Sequence, residues 1–207
     1  MVLLQIMKDT YHTIDGPAEG EFRDRGSKFL AYAFCVNSQE EWQSRLEEVR
    51  KAHPKARHHC FAYRIGIDGN NYRANDDGEP SGTAGRPILG QIDSFGLTNV
   101  LVVVVRYFGG TLLGTSGLIQ AYKGSAADAL QKAAIVEKIV MARFRLRFDY
   151  QWLSQVMNAV KKLDVQIDNQ HFGDTAFIDI SIRKSEITIA LDYLKHSTGD
   201  ILIEPLH

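Results

Sequence analysis

The sequence predicts a two-domain α+β protein. Its 207 residues correspond to between one and two domains of the usual size of about 150 residues. The composition, with 44% hydrophobic and 24% charged residues, is that of an ordinary globular protein and excludes a chain that is disordered, collagen-like or coiled coil throughout. The order of predicted elements changes at about Met141. We therefore expect one domain over residues 1–138 and a second over residues 139–207.

Strands dominate the start of the N-terminal domain. β-branched and aromatic residues recur there between Gly16, Gly20 and Gly26, which is typical of short strands separated by turns. Strands are predicted over residues 11–14, 21–25, 28–36, 58–65, 71–74 and 99–107. The last of these contains a run of valines, which indicates a strand buried on both faces. We expect it at the centre of the sheet.

Two helices are predicted between these strands and after them. Ser38 and Glu41 form a capping box at the start of the first helix. Trp42, Leu46 and Val49 give that helix one apolar stripe, and it ends before Pro54. The second helix is predicted over residues 116–134 and carries small residues that permit close packing.

The C-terminal part has a different element order. Strands are predicted over residues 141–149, 165–172, 175–183 and 201–204, and helices over residues 153–163 and 186–196. The order is strand, helix, strand, strand, helix, strand. This is a split β-α-β pattern.

Charge and apolar patterning restrict the function. The chain has 24 basic and 25 acidic residues, a formal net charge of −1, so a nucleic-acid-binding surface has to be local. No apolar run approaches the roughly 20 residues of a membrane span. We expect a cytoplasmic protein with no membrane contact and no cofactor. Cys35 and Cys60 belong to no C-x-x-C pair, and both are expected as free thiols.

The first candidate site joins residues 53–60 (HPKARHHC) and residues 75–87 (NDDGEPSGTAGRP). These stretches bring imidazoles, a thiol and carboxylates close together in the sequence. In a strand, His58 and Cys60 share one face and supply two metal ligands if a carboxylate completes the set. The candidate residues are His53, His58, Cys60, Asp76, Asp77 and Glu79.

A structural role competes with metal binding and with general acid–base use at this site. The run Asp-Asp-Gly-Glu-Pro is typical of a turn whose carboxylates accept backbone N–H bonds. No H-E-x-x-H or paired C-x-x-C motif fixes a metal-ligand spacing. Cys60, in a strand, is more typical of a buried thiol than of a nucleophile. The Thr83 hydroxyl is expected to cap a helix that has Pro87 in its first turn.

The second candidate site is the glycine-rich stretch of residues 106–118 (RYFGGTLLGTSGL). It leads from the valine strand into a helix, where unpaired N–H groups and the helix dipole favour an anion such as phosphate. Thr115 stands where a Walker A loop has its lysine, which disfavours ATP hydrolysis of that kind. Glycine-rich turns also arise from chain geometry alone. The candidate residues are Arg106, Gly109, Gly110, Gly114, Thr115, Ser116, Gly117 and Lys123.

The third candidate site is a strand of the C-terminal domain. Arg143, Arg145 and Arg147 alternate with apolar residues, so one face of the strand is basic. Phe177 on a neighbouring strand is expected on the same open face, which resembles a platform for single-stranded nucleic acid. The carboxylates of Asp168, Asp179 and Glu204 offset this charge if they share the face. An ordinary solvated or domain-covered sheet surface is the alternative.

Three blocks carry a resemblance to a known family. They are HPKARHHCFAY from residue 53, NDDGEPSGTAGRPIL from residue 75 and VVVVRYFGGTLLGTSGLIQAY from residue 102. Over residues 8–135 the sequence resembles the YigZ/IMPACT family, and residues 141–207 resemble the smaller C-terminal domain of its bacterial members. The family motif positions are His53, His58, Cys60, Asp76, Asp77, Glu79, Arg106, Gly109, Gly110, Gly114 and Gly117. No catalytic assignment comes with them.

This resemblance implies a fold and a field of activity. The larger domain is expected to be similar to the second domain of a small-subunit ribosomal protein, with a left-handed crossover. The smaller one is expected to be similar to the ferredoxin-like last domain of elongation factor G. Eukaryotic IMPACT proteins carry an additional N-terminal domain and restrain a stress-activated kinase that controls translation initiation, by competing for its activator. For bacterial relatives the resemblance implies a nucleic-acid-linked or translation-linked role.

From these observations we expect a non-enzymatic protein that binds RNA or a ribosome-associated partner. The expected phosphate contacts are Arg106, Lys123 and the loop of residues 109–117, with the arginine strand as an auxiliary surface. The alternative is a metal- or carboxylate-dependent hydrolase or small-molecule enzyme at a cleft formed by His58, Asp76, Asp77 and Glu79. A regulator that acts through protein contacts alone is a third hypothesis.

Overall fold

A computed structural model describes residues 9–173 and 175–206 of the chain. These residues form two compact units. The larger unit comprises residues 11–138, and the smaller comprises residues 139–206 together with Asp9 and Thr10. Both units combine helices with antiparallel sheets. The predicted two-domain α+β class is confirmed.

The elements of the larger unit follow the predicted order closely. Its strands are β1 (Thr10–Ile14), β2 (Ala18–Asp24), β3 (Ser27–Cys35), β4 (His58–Ile65), β5 (Asn71–Asn75), β6 (Val100–Tyr107) and β7 (Ile135–Ile139). Its helices are α1 (Gln39–Ala52), α2 (Gly85–Ser94) and α3 (Gly114–Lys132). Strands β1 and β7 pair as a separate two-stranded sheet.

The main sheet of this unit has five strands in the order β2-β3-β6-β4-β5, and all neighbours are antiparallel. Residues 100–105 of β6 are completely buried. Val100, Val102 and Val104 belong to the core that contains side chains of α2 and α3, whereas Leu101, Val103 and Val105 pack with side chains of α1. The valine run is therefore the central strand of a three-layer arrangement, as predicted.

Helix α1 shows why its boundaries were predictable. The Ser38 hydroxyl accepts a hydrogen bond from the Glu41 amide at 3.2 Å, and the Glu41 carboxylate accepts one from the Asn37 amide at 2.7 Å. Each bond satisfies an amide near the helix start, where no carbonyl partner is available. The predicted stripe of Trp42, Leu46 and Val49 is buried against the sheet.

Helix α2 begins differently from the prediction. Its N-cap residue is Ala84, which makes no side-chain capping bond. The Thr83 hydroxyl donates to the Pro80 carbonyl at 2.7 Å instead, so the predicted capping role of Thr83 is wrong. A threonine hydroxyl can donate to a nearby turn carbonyl as readily as it can accept from a helix amide. Here the amides at the start of α2 donate to the Asp76 carboxylate instead.

The smaller unit confirms the predicted split β-α-β order. Its strands are β8 (Met141–Phe148), β9 (Gln166–His171), β10 (Ala176–Arg183) and β11 (Ile201–Leu206), and its helices are α4 (Leu153–Leu163) and α5 (Ile187–Ser197). The antiparallel sheet has the order β11-β8-β10-β9. The isoleucines of β10 at positions 178, 180 and 182 are fully buried in the core. None of the described helices is long and apolar enough to cross a lipid bilayer.

Candidate functional site

The main candidate site is a cleft of about 650 Å³ at one end of the five-stranded sheet. Strand β4 begins there and β6 ends there, because His58 lies opposite Arg106 in the antiparallel register. The turn before β4 and the loop after β6 supply the rest of the wall. The lining residues are Lys55, Arg57, His58, Arg106, Tyr107, Phe108 and Leu112.

The cleft combines positive charge with exposed apolar surface. Lys55 and Arg57 are exposed, and within the described part of the chain neither has a carboxylate within ion-pair distance. Phe108 is 56% exposed and Leu112 is 81% exposed. Two uncompensated cations attract an anion, and an exposed aromatic ring offers a flat surface for stacking. The cleft can therefore bind a ligand that has both an anionic and a planar part.

A series of buried, hydrogen-bonded polar side chains lies beneath the cleft wall and connects Arg106 to helix α3. Arg106 donates to Glu79 at 2.6 Å, and the two side chains are only 8% and 4% exposed. Tyr122 of α3 donates to the same Glu79 oxygen at 2.8 Å, and the Cys60 thiol lies 3.3 Å from the Tyr122 hydroxyl. Burial raises the pKa of Cys60 far above its ordinary value, so the thiol stays neutral and is not a nucleophile. Both cysteines are free, as predicted.

The Arg106 guanidinium is also placed by aromatic rings. Its Cζ lies 5.5 Å from the centroid of Phe29 on β3 and 5.5 Å from that of Phe108. The Nε atom is buried and has no hydrogen-bond partner among the described residues. Arg106 thus lines the cleft, but its charge is compensated by Glu79. The uncompensated charge comes from its neighbours Lys55 and Arg57.

The acidic run of residues 76–80 forms a turn in which the Asp76 and Asp77 carboxylates accept backbone hydrogen bonds. This is the structural role that the sequence offers as the alternative to metal binding and acid–base use. Asp76 accepts from the amides of Gly82 at 2.8 Å, Ala84 at 3.0 Å and Gly85 at 2.8 Å, and so caps α2 from a distance. Asp77 has a φ of 42° and its carboxylate accepts from the His59 amide at 2.6 Å. The bonds satisfy amides at the start of α2 and of β4 that otherwise lack partners.

The metal-ligand set considered from the sequence does not form. His58 Nδ1 donates to the Asp77 carbonyl at 2.8 Å, and the Cys60 thiol donates to the Asp76 carbonyl at 3.0 Å. The carboxylates of Asp76, Asp77 and Glu79 face three different sets of partners. Over residues 9–173 and 175–206, no group of three or more His, Cys, Asp or Glu side chains is arranged to hold a metal ion.

Replacing Asp76 tests its capping role. We expect Asp76→Asn to lower the free energy of unfolding at pH 7 by about 1–2 kcal/mol, because an amide oxygen accepts fewer of the three bonds. Burial acts to raise the pKa of Asp76, but the bonds from Gly82, Gly85 and Ala84 and the nearby Arg86 outweigh it, so its pKa is lowered. The stabilisation is therefore complete above the ordinary aspartate pKa and is lost as the pH falls through the lower, folded-state value.

Urea unfolding at pH 7 and at steps down to pH 3 measures this difference. The gap between wild type and Asp76→Asn is expected to narrow as the pH falls. Asp68→Asn is the matched control, because Asp68 accepts one backbone bond in an exposed turn, from Asn70 at 3.2 Å, and caps no helix. Equal losses in the two variants at pH 7 would show that Asp76 does not cap α2.

The glycine-rich loop contains one amide held by a side chain, two glycines with positive φ and an exposed helix start. The Gly109 amide donates to the Ser27 hydroxyl at 3.1 Å. Gly110 and Gly114 have φ values of 89° and 71°, which only glycine adopts without strain. Three consecutive positions, Gly114, Thr115 and Ser116, are exposed in the first turn of α3, where no side chain caps the helix. Anion binding at this helix start stays a prediction of the sequence.

The remaining sequence candidates of the larger unit lie outside the cleft wall. Gly117 approaches the Leu113 side chain, and Lys123 is exposed on α3. His53 ends α1 and is held between the hydroxyls of Tyr32, at 2.7 Å, and Tyr107, at 2.9 Å. Burial lowers the pKa of His53, so a neutral imidazole joins α1 to β3 and β6.

The arginine strand of the smaller unit is β8, and each of its arginines has an acidic partner. Arg143 pairs with Asp168 at 3.2 Å and Arg147 with Glu204 at 2.8 Å. Arg145 makes two bonds to Asp179, of 2.6 and 2.8 Å, and its guanidinium lies 4.1 Å from the centroid of Phe177. The offsetting carboxylates anticipated from the sequence thus share this face and compensate its charge.

Sequence reasoning missed several residues of the candidate site, among them Lys55, Arg57, Phe108 and Tyr122. Lys55 and Arg57 lie inside the first motif block but were not singled out, because an unpaired cation is recognisable only when its surroundings are known. Tyr122 ends the third block, and its contact with Glu79 joins residues 43 positions apart. The positions of these residues within the motif blocks were the available signal.

The fold and the cleft define a class: a two-domain α+β protein whose larger unit is a helix-covered antiparallel sheet with a basic, partly aromatic cleft at one end. Residues 25–130 match the Impact N-terminal domain. The chain is 32% identical over 193 residues to IMPACT family member YvyE of Bacillus subtilis, covering 93% of this chain and 89% of the relative. The chain belongs to the IMPACT family, which confirms the resemblance.

Further comparisons extend over both units. IMPACT family member YigZ of Escherichia coli is 33% identical over 163 residues, which cover 78% of this chain and 80% of the relative. A crystal structure of a hypothetical protein superimposes with a TM-score of 0.73 at 28% identity, covering 97% of this chain and 99% of that one. The similarity is therefore not confined to the larger unit.

Proposed function

We propose that this protein is a non-enzymatic RNA-binding protein linked to the regulation of translation, and that RNA binds in the cleft of the larger unit. The observation that carries the proposal is the pair of exposed, uncompensated cations, Lys55 and Arg57, beside the exposed ring of Phe108. Proteins that bind single-stranded nucleic acid combine cations for the phosphates with aromatic rings for the bases.

The polar groups around the cleft support binding rather than catalysis. The side chains that a hydrolase would use, Asp76, Asp77 and Glu79, are already engaged by backbone amides or by Arg106. The Cys60 thiol is buried and protonated. A general base or nucleophile needs a reactive group within reach of the substrate, and these groups are held within the fold instead.

The link to translation rests on the family. The three motif blocks resemble those of the YigZ/IMPACT family, and this resemblance implies a nucleic-acid-linked or translation-linked role for its bacterial members. We therefore place the RNA partner, free or within the ribosome, in the translation apparatus of the cytoplasm. The net charge of −1 fits such a role, because a local basic cleft binds RNA without general affinity for polyanions.

The salt dependence of RNA binding tests this proposal. The logarithm of the affinity of the full chain for a single-stranded RNA is expected to fall linearly with the logarithm of the salt concentration. In the double variant Lys55→Ala/Arg57→Ala we expect the slope to decrease by about 1.4, since each phosphate contact on a single strand contributes about 0.7. Fluorescence anisotropy at a series of salt concentrations measures the slope.

The control variant removes the same charge elsewhere. Lys161→Ala/Lys195→Ala alters two exposed lysines of α4 and α5 and is expected to leave the slope unchanged. Arg106→Ala is unsuitable as the main test, because it leaves Glu79 buried without its cation. The same slope in wild type, in Lys55→Ala/Arg57→Ala and in Lys161→Ala/Lys195→Ala, or binding that does not depend on salt, would refute RNA binding at the cleft.

A further inference from the structure

The size of the cleft restricts what part of an RNA it holds. Its volume of about 650 Å³ falls within the range of roughly 300–1,000 Å³ of pockets that enclose one small ligand. A strand that continues past the site needs a line of cations along its backbone. Among the residues that line the cleft, the exposed cations are Lys55 and Arg57, which are two residues apart and form no such line. The cleft therefore matches one nucleotide unit.

The charge of the cleft indicates the kind of phosphate. Lys55 and Arg57 are separated by one residue in the turn before β4 and line the same cleft. A phosphomonoester carries a charge of about −1.5 to −2 at pH 7, whereas a phosphodiester within a strand carries a single charge. Two neighbouring cations without carboxylate partners among the described residues complement the monoester better. An arginine and a lysine can also contact its oxygens from two sides.

The apolar part of the cleft complements a base. Phe108 keeps more than half of its surface exposed, and the Arg106 guanidinium, 5.5 Å from its centroid, helps to place the ring. Phe108 and Leu112 are both exposed and line the same cleft, so a ligand that covers them removes apolar surface from water. Stacking of one base on such a ring adds affinity and tolerates any base.

From the volume of the cleft, its two neighbouring uncompensated cations and the exposed Phe108 ring, we infer that the cleft recognises a nucleotide with a terminal phosphate. The phosphomonoester lies against Lys55 and Arg57, and its base stacks on Phe108. This inference rests on the proposed function and adds that RNA is bound at a phosphorylated end. A free nucleoside monophosphate offers the same chemistry and is the second source of such a ligand.

Binding of end-labelled RNA to the full chain separates these ligands. We use one short single-stranded RNA in three forms: with a 5′-phosphate, with a 3′-phosphate, and with hydroxyls at both ends. At least one phosphorylated form is expected to bind ten times more tightly or better than the form without phosphate. Adenosine monophosphate is expected to compete with it, and adenosine or inorganic phosphate to compete at least tenfold less well.

Two variants assign the two parts of the ligand. Arg57→Ala is expected to weaken RNA binding and to abolish the preference for a phosphorylated end, so that all three RNA forms bind with similar affinity. Phe108→Ala is expected to weaken binding of adenosine monophosphate at least fivefold and to leave inorganic phosphate unaffected. Lys161→Ala is the charge-matched control for Arg57→Ala. Circular dichroism establishes that each variant is folded.

The outcomes distinguish this inference from the proposed function. Equal affinity for the three RNA forms, with a slope that depends on Lys55 and Arg57, would refute end recognition and leave RNA binding at the cleft intact. Binding of adenosine monophosphate without measurable RNA binding would support the nucleotide site and refute the proposed function. Binding of neither class of ligand would refute both.

Discussion

The variant Glu79→Ala is expected to lose about 3–5 kcal/mol of unfolding free energy, a large part of the stability of an ordinary domain. Removing the carboxylate leaves the Arg106 guanidinium buried without its counter-charge, at a position where the arginine side chain is only 8% exposed. The Tyr122 hydroxyl, which donates to the same oxygen, loses its acceptor as well. An uncompensated buried charge costs far more than the pair contributes.

Equilibrium unfolding in urea at pH 7 measures this loss. The matched control is Glu48→Ala, which breaks the ion pair with Arg45; that pair has a similar distance of 2.8 Å, but its partners are 49% and 60% exposed. The control is expected to lose less than about 1 kcal/mol. Glu79→Gln keeps an acceptor oxygen, so its loss of unfolding free energy should lie between the losses of Glu79→Ala and Glu48→Ala. Similar losses for Glu79→Ala and Glu48→Ala would show that burial does not determine the contribution of the Arg106 pair.

The elements that the sequence predicts correctly have local causes. The cap of α1 depends on Ser38 and Glu41, three positions apart, and the central strand is marked by its own run of valines. In the smaller unit, period-two alternation places the isoleucines of β10 in the core and the arginines of β8 on the other face. Such patterns survive in any tertiary context that offers an apolar layer on one side.

The sequence predicts a helix near Thr83 and Pro87 but does not predict the extent of α2 or its capping residue, and the reason is physical. Its sequence GRPILGQIDS contains two glycines and a proline, residues that are poor helix formers. The helix is stabilised by the Asp76 carboxylate, which accepts from Ala84 and Gly85, eight and nine residues later. A cap supplied across an intervening turn lies outside the short window in which sequence patterns for helix starts operate.

The site was predictable as a set of residues but not as an arrangement. The motif blocks contain His58, Glu79 and Arg106, yet the role of Arg106 changes once the fold is known. It was expected to contact phosphate, and the structure pairs it with Glu79, 27 positions away. That pairing shifts the uncompensated charge to Lys55 and Arg57. Which cation remains unpaired depends on the register between β4 and β6, and a single sequence does not specify this register.

The glycine at the start of the loop offers the second large effect. We expect Gly109→Ala to lower the unfolding free energy by about 3 kcal/mol, the upper part of the usual range for overpacking. A Cβ atom at this position falls well inside 3.0 Å of the backbone of Gly26 and Ser27. Backbone atoms cannot rotate away as a side chain can, so the loop after β6 has to move and the bond from the Gly109 amide to Ser27 is lost.

Gly90→Ala is the matched control for this substitution and is expected to have the opposite sign. Gly90 lies within α2, and a Cβ atom there meets nothing within 4 Å, so alanine should stabilise the protein by roughly 0.5–1 kcal/mol. Thermal and urea unfolding of both variants measure the two effects. Since Gly109 follows Phe108 directly, a displaced loop also moves the Phe108 ring, on which we propose that a base stacks. RNA affinity should therefore fall in Gly109→Ala but not in Gly90→Ala. A Gly109→Ala protein as stable as wild type would show that the close approach of these two backbone segments does not hold the loop in place.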